Sequence, residues 1–188
     1  MKLFIALLLL LPFTLPITGT SQINVSNTAP YDSEQYLVED ILLGNGVSAS
    51  NITFSGDPTQ IGFFNGVNSN IGLDSGIVMC TADIATIVPG GTGITDFGTS
   101  TSATDADLIA VAQSVTSNPS ANEITVTHDL ADLNFDFQVV GDTVEFEFVF
   151  ASNEYLFWVN SQYNDVFSFF LSGPGISGPY SSPAGFPN

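Results

Sequence analysis

The feature that most constrains this chain of 188 residues is an almost complete lack of basic side chains. It has 19 aspartates and glutamates, but its only lysine or arginine is Lys2 and its only histidine is His128. A carboxylate that folding brings close to another therefore has almost no basic side chain to pair with. Water, an N–H group, protonation or a bound cation has to satisfy it instead.

The net charge of −18 also limits the partners of the protein. Nucleic-acid binding is excluded because it depends on lysine and arginine against phosphate. Anionic membrane surfaces are disfavoured for the same reason. Cations, neutral carbohydrates and proteins with basic surfaces remain as partners.

The first 21 residues are typical of an export signal. Lys2 supplies the positive charge, residues 3–11 form an almost unbroken apolar run, and the small residues Gly19 and Ser21 precede a cleavage point before Gln22. The run is shorter than the ~20 residues that span a bilayer, so a membrane anchor is the weaker interpretation. We expect a mature chain that is secreted or held at the cell surface and does not insert into the membrane.

Residues 22–188 are predicted to form a single β-rich domain. The chain is 44% hydrophobic, and its length is enough for one sizeable core. Cys80 is the only cysteine, so an intramolecular disulfide is impossible. Because Cys80 ends an apolar run, we expect a buried and inert thiol.

Short strands and two short helices account for most of the pattern. Apolar residues at helical spacing predict helices at residues 33–43, capped by Asp32 with Gln35, and at 105–113, capped by Thr104. Strands are predicted at residues 46–54, 61–64, 76–81, 124–128, 133–139, 143–151 and 165–171, with a surface loop at 89–102. This order favours a mainly β fold, an antiparallel β-sandwich or a jelly-roll-like arrangement with two short helices.

A β-hairpin is predicted around the turn at residues 141–142. Apolar residues alternate on both arms, and a two-residue turn places Phe137 opposite Phe146 and Asp136 opposite Glu147. Like charges directly across a ladder are destabilising. Either the two carboxylates are solvated and splayed apart, or an oxygen-bound Ca²⁺ ion lies between them.

Two segments of the sequence are distinctive, and with the upstream matches they carry a resemblance to a known family. They are residues 149–155 (VFASNEY) and 164–175 (NDVFSFFLSGPG), supported by residues 37–46 (LVEDILLGNG), 72–77 (GLDSGI) and 133–137 (LNFDF). The chain resembles the choice-of-anchor L domain of exported and surface proteins, mainly of Bacteroidetes. The resemblance implies an exported β-rich domain joined to varied C-terminal anchors, with no agreed activity.

The chain departs from that family pattern in two places. Asn153 and Glu154 stand where the family has paired glutamates, which keeps the oxygen ligands but removes one charge. The family also continues with further strands and an anchor after the point where this sequence ends. We therefore expect an incomplete C-terminal part of the domain, without the anchor.

The residues themselves predict an oxygen cluster at the two ends of one loop. Asn153 and Glu154 follow one predicted strand, and Asn164 and Asp165 open the next, so residues 155–163 would bring the pairs to one sheet edge. The cluster would bind Ca²⁺ or simply hold the turns through local hydrogen bonds. Three aromatic residues of that loop could stack on a sugar ring or pack into the core: Tyr155, Trp158 and Tyr163.

These features favour a noncatalytic secreted or cell-surface module for binding or adhesion, with Ca²⁺ as a candidate stabilising ion. Its ligand would be a carbohydrate or a surface protein. A secreted glycoside hydrolase is the alternative, because Glu145 and Glu147 on one strand face would be about 6 to 7 Å apart, within the range for glycosidase carboxylates. A purely structural spacer is the third hypothesis.

Overall fold

The computed structural model describes residues 22–87, 102–114, 124–152 and 165–178. Its strands are β1 (Asn24–Ser26), β2 (Val47–Ser55), β3 (Ile61–Asn65), β4 (Ser75–Met79), β5 (Ser102–Ala103), β6 (Thr127–His128) and β7 (Asp132–Val139). Its helices are α1 (Glu34–Tyr36), which continues as a π-helical segment (Leu37–Leu42), α2 (Ala106–Ser114) and two 3-10 turns (Pro58–Gln60 and Ile84–Ile87).

All of these strands pair antiparallel. They form a three-stranded sheet in the order β1-β3-β4 and two two-stranded sheets, β2-β7 and β5-β6. The predicted mainly β class with two short helices is confirmed. The sandwich or jelly-roll arrangement of the sheets stays a prediction.

The best-buried side chains lie where the π-helical segment and a 3-10 turn meet the three-stranded sheet. Leu37, Val38 and Ile84 have no exposed surface, and Ile61 and Phe64 of β3 are nearly as buried. Helical spacing predicted an apolar stripe of Leu37, Val38, Ile41 and Leu42. Leu37 and Val38 are buried, Ile41 is half-buried, and Leu42 is 38% exposed.

A buried glutamine joins the turn before β3 to the chain before β7. Gln60 is 1% exposed, and its Nε2 atom donates to the backbone oxygen of Asp129 at 2.8 Å. Its Oε1 atom accepts from the backbone N–H of Asp57 at 2.7 Å. Both ends of the amide are thus satisfied, as burial of a polar side chain requires.

Both helix caps lie one residue later than predicted. The Ser33 hydroxyl, rather than Asp32, accepts from the Tyr36 N–H at 3.3 Å. Asp105, rather than Thr104, accepts from the Leu108 N–H at 2.7 Å. A carboxylate at this position also interacts favourably with the positive end of the helix dipole, which a threonine hydroxyl does not.

The predicted hairpin around residues 141–142 is wrong. β7 pairs with β2 on one edge, where Phe137 lies opposite Ala49 and Asp136 lies opposite Ser50, and no second strand pairs with it among the described residues. Residues 143–151 and 165–171, which were predicted to be strands, lie outside the described helices and strands. Alternation along a strand marks its two faces but does not identify its neighbour, and β2 offers the same alternation.

The close packing of Gly62 against Ile84 and Ser26 allows a direct test of this core. A Cβ atom at Gly62 would lie 2.5 Å from Ile84 Cδ1 and 2.5 Å from the backbone oxygen of Ser26. We expect Gly62→Ala to lower the free energy of unfolding by about 1–3 kcal/mol, the usual range for overpacking. Urea unfolding measures the change.

Gly44 provides the matched control, because a Cβ atom there would meet nothing within 4 Å. Gly44→Ala should leave stability unchanged or raise it by less than about 1 kcal/mol. Equal stability of the two variants would contradict the described packing of β3 against β1 and Ile84.

Candidate functional site

N–H groups from neighbouring residues satisfy several of the described carboxylates. The Asp57 carboxylate accepts from the Thr59 backbone N–H at 2.9 Å and from the Thr59 hydroxyl at 2.7 Å. The backbone bond first, and the hydroxyl second, hold the pKa of Asp57 below its usual value. Asp83 accepts from the Ala85 N–H at 2.8 Å, as Asp105 does from Leu108. Local turns thus supply the donors that basic side chains supply in other proteins.

Asp136 is satisfied by a side-chain amide from the neighbouring strand. Asn51 Nδ2 donates to Asp136 Oδ2 at 2.6 Å. Asn51 has a φ of 53° and lies where the β2-β7 register shifts between Ser50 and Thr53. Asparagine is one of the few residues with a Cβ atom that tolerate this left-handed conformation. The irregularity in β2 therefore holds a neutral donor beside the carboxylate.

Asp132, at the start of β7, is less well compensated. Asn134 Nδ2 donates to its Oδ2 atom at 2.7 Å. Burial raises the pKa of Asp132, the Asn134 hydrogen bond lowers it, and the negative charge of Asp105 raises it again, with a net rise. The carboxylates of Asp105 and Asp132 therefore lie close enough to repel each other. Neither carboxylate has a lysine or arginine that could offset this repulsion.

The first predicted metal cluster falls mostly outside the described part of the chain. Asn153, Glu154 and Asn164 lie outside it, and Asp165 is described and exposed. Within residues 22–87, 102–114, 124–152 and 165–178, no three His, Cys, Asp or Glu side chains are grouped as metal ligands. A Ca²⁺ ion at this cluster stays a prediction.

The second predicted metal site loses the pairing on which it was based. Asp136 faces Ser50 of β2 rather than Glu147, because the hairpin is not formed. Asn51 already donates to Asp136, so a cation is not required to satisfy that carboxylate. Glu147 is exposed and lies outside the strands. Calcium binding by Asp136 and Glu147 also stays a prediction. The cross-strand repulsion between their carboxylates, which suggested the site, is not present.

Other predicted reactive groups have ordinary surroundings. Cys80 is half-buried rather than fully buried, and burial is the main cause that raises the pKa of its thiol. Glu145 and Glu147 are both exposed. A shallow cavity of about 250 Å³ at the end of the β2-β7 pair has no carboxylate in its lining, which consists of Gly46, Val47, Ser48, Gln138, Val139 and Val140.

Among the described residues, a group of exposed phenylalanines comes from two segments of the chain. We call Phe146, Phe148, Phe150, Phe167 and Phe169 the aromatic ladder. The rings of Phe146 and Phe169 are 4.5 Å apart edge to face, and those of Phe150 and Phe167 are 5.5 Å apart. Phe148 contacts both Phe167 at 5.8 Å and Phe169 at 5.3 Å. Residue numbers rise along one segment as they fall along the other, so the two segments run antiparallel.

The rings of the aromatic ladder contact one another but are not covered. Their exposed fractions are 58% for Phe146, 56% for Phe148, 58% for Phe150, 47% for Phe167 and 55% for Phe169. With about 200 Å² for each ring, roughly 500 Å² of aromatic surface is open. This area is at the upper end of the apolar patches found on monomeric proteins, and such patches usually mark interaction sites.

The sequence indicated the alternation of these phenylalanines but not their exposure. The predicted hairpin placed Phe146 and Phe148 against β7, where they would be half-buried. The structure instead places them against Phe167 and Phe169, with about half of each residue exposed. A useful signal was present in the second segment, where Phe167 and Phe169 alternate in the same way.

Comparison with known proteins gives one match. A family model described as the choice-of-anchor L domain matches residues 24–188. No curated protein and no solved structure matches the chain. Among the described residues, no helix has the length and apolar character that a membrane span requires.

The Asn51–Asp136 hydrogen bond can be tested by replacing the donor with a second acid. Aspartate has nearly the shape of asparagine and also tolerates a positive φ. At pH 7, Asn51→Asp should lower the free energy of unfolding by about 1–2 kcal/mol, because it replaces an N–H donor by a like charge. Urea unfolding at pH 7 measures the loss.

Asn51→Gly is the control for this experiment, because glycine keeps the positive φ and removes only the hydrogen bond. It should cost about 1 kcal/mol or less. If Asn51→Asp and Asn51→Gly have the same stability at pH 7, the Asn51 amide does not have the compensating role assigned to it.

Proposed function

Given that the chain belongs to the choice-of-anchor L domain family, we propose that it is a noncatalytic binding module of the cell surface or the secreted fraction, with the aromatic ladder as its binding surface. The family is one of surface domains and is not a known enzyme family. The single observation that supports the binding role is the open ladder of five half-exposed phenylalanines.

The chemistry of the aromatic ladder favours a polypeptide ligand over a carbohydrate. Its rings are all phenylalanine, and its exposed neighbours Val144, Val149 and Leu171 are also apolar. A sugar site adds hydrogen-bonding groups beside the stacking rings, and phenylalanine has none. The tyrosines and the tryptophan considered for sugar stacking, Tyr155, Trp158 and Tyr163, lie outside the described residues.

A catalytic role has less support from the described geometry. Glu145 and Glu147 are exposed and do not line the shallow cavity at the end of β2-β7. A glycosidase needs two carboxylates on either side of a bound glycosidic bond, one of them with a raised pKa. Burial, and less strongly the negative charge of Asp105, raises the pKa of Asp132.

Calcium binding remains part of the proposal for the loop ends at Asn153, Glu154, Asn164 and Asp165. Two observations support it: the chain lacks basic side chains, and the ring contacts bring the two flanking segments together in antiparallel fashion. Carboxylate and amide oxygens are ligands that Ca²⁺ prefers, and exported modules commonly bind it with millimolar to submillimolar affinity.

Thermal unfolding with calcium and with chelator tests this part. Excess Ca²⁺ should raise the melting temperature by several degrees, because an ion that binds only the folded state stabilises it. The double variant Glu154→Gln/Asp165→Asn should remove the rise, whereas Asp136→Asn should retain it. A melting temperature that calcium does not change would end the calcium proposal and leave the binding proposal intact.

The binding role is tested with defined peptides and glycans on the purified chain. A peptide of about ten residues that alternates valine with serine has the length of a β-strand. We expect the chain to bind it, to ignore a serine–threonine peptide of the same length, and neither to bind nor to hydrolyse a panel of neutral polysaccharides. Binding or cleavage of a polysaccharide with no binding of the valine peptide would overturn the proposed function.

Two variants locate that binding at the aromatic ladder. Phe146→Ser/Phe169→Ser removes the closest edge-to-face pair and should weaken peptide binding at least about tenfold, as loss of central aromatic contacts does. Val67→Ser removes another exposed apolar side chain, 62% exposed and located in the β3-β4 connection, and should have no effect. Circular dichroism confirms that both variants fold.

A further inference from the structure

The tripeptide Asn-Gly-Val occurs twice in the chain, at residues 45–47 and at residues 65–67. An asparagine that precedes a glycine is the asparagine whose side chain reacts most readily with its own backbone. Because glycine has no Cβ atom, the peptide nitrogen after the asparagine is unhindered and the chain turns easily there. The two copies have the same local sequence, so a difference in their reactivity would come from the fold.

The first copy lies in an exposed turn between the π-helical segment and β2. Gly44, Asn45 and Gly46 are all exposed, and a Cβ atom at Gly46 would meet nothing within 4 Å. Gly46 has a φ of 87°, which fits the third residue of a type II turn. One long hydrogen bond closes the turn, from the Val47 N–H to the Gly44 oxygen at 3.4 Å. Among the described residues, no backbone oxygen accepts from the Gly46 N–H.

The second copy is held by hydrogen bonds and burial. Asn65 is part of β3 and is paired with both β1 and β4. Its Oδ1 atom accepts from the Val67 N–H at 3.1 Å, and the Gly66 N–H donates to the Asp74 oxygen at 2.8 Å. Gly66 is buried, and a Cβ atom there would press against the backbone oxygen of Leu73. The Gly66 nitrogen can therefore reach the Asn65 side chain only after this end of the sheet opens.

We propose that Asn45 is a site of spontaneous deamidation and that the fold protects Asn65 from the same reaction. The Gly46 nitrogen loses its proton to water or hydroxide and attacks the Cγ atom of Asn45. The new N–C bond closes a succinimide ring, and the C–N bond of the side-chain amide breaks with release of ammonia. Water then adds to either carbonyl carbon of the ring and opens it, which leaves aspartate or isoaspartate. Water is the only reagent consumed, and no atom is oxidised or reduced.

The position of Asn45 gives the modification two consequences. Each event adds a carboxylate to a chain that already has 19 acidic residues and has no lysine or arginine after Lys2. Isoaspartate also inserts a methylene group into the main chain directly before Gly46. The Gly46 oxygen accepts from the Val140 N–H at 2.9 Å, at the end of the β2-β7 pair. The modification thus acts on the pairing of β2 with β7 as well as on the surface charge.

Peptide mapping by mass spectrometry tests the proposal on the purified, folded chain. The protein is kept at mildly alkaline pH, sampled over weeks and digested with a protease that cleaves after phenylalanine and leucine, because trypsin has no site after Lys2. We expect Asn45 to lose its amide at least about tenfold faster than Asn65, because the Asn65 site must first open. Both aspartate and isoaspartate should form at Asn45, since direct hydrolysis of the side-chain amide gives aspartate alone.

The unfolded chain and one variant provide the controls. In guanidinium chloride the two Asn-Gly-Val copies should react at closely similar rates, because only the fold distinguishes them. Gly46→Ala should slow the reaction of Asn45 several-fold in the folded and the unfolded chain, because a Cβ atom hinders the attacking nitrogen, and should leave Asn65 unchanged. Amide hydrogen exchange should be fast at Gly46 and slow at Gly66, which checks the structural difference without the chemical reaction.

Each other outcome counts against the proposal. Equal rates at Asn45 and Asn65 in the folded chain would overturn it, and so would an Asn45 that reacts only after unfolding. A rate difference that persists in guanidinium chloride would mean that the fold does not protect Asn65. Aspartate without isoaspartate at Asn45 would contradict the route through the Gly46 nitrogen.

Discussion

The structure depends on how a chain with no lysine or arginine after Lys2 satisfies its carboxylates. Basic side chains cannot pair with most of the carboxylates, because the sequence contains 19 acidic residues and very few basic ones. Neutral N–H donors satisfy several of the described carboxylates instead. Asp57, Asp83 and Asp105 take backbone N–H groups from the turns that they begin, and Asp136 takes the Asn51 amide. Because hydrogen bonds to an ionised acceptor are stronger than neutral ones, this solution stabilises the folded chain without ion pairs.

The same constraint shapes the backbone. Asn51 adopts a left-handed conformation at a register shift in β2, and that conformation accompanies the hydrogen bond to Asp136 across the β2-β7 pair. At Asp132, burial raises the pKa despite the Asn134 hydrogen bond, and the charge of Asp105 raises it further. Stability from Asp132 is therefore fully present below its unfolded pKa and is lost as the pH rises through the higher folded pKa. The lack of basic side chains also affects the aromatic ladder, where the exposed Glu145 and Glu147 alternate along the chain with half-exposed phenylalanines.

The sequence predicted the local elements better than their partners. The ranges of β2, β3, β4 and β7 followed from alternation, and the burial of Leu37 and Val38 followed from helical spacing, although Leu42 of the same stripe is exposed. The hairpin was wrong because the alternation of residues 143–151 does not by itself make them a strand that pairs with β7. Both caps shifted by one residue because two adjacent side chains could each accept the bond. The open face of the aromatic ladder could not be predicted, since burial depends on what covers a ring and not on the ring itself.

The most direct test of this account is the salt dependence of stability. Urea unfolding at pH 7 would be measured from about 0.02 to 0.3 M sodium chloride, with chelator present so that only monovalent ions act. If neutral donors hold the carboxylates, the remaining charge interactions are repulsive, and screening them should raise the free energy of unfolding steadily. A free energy of unfolding that falls with salt would mean that attraction between opposite charges stabilises the fold, and would contradict the account.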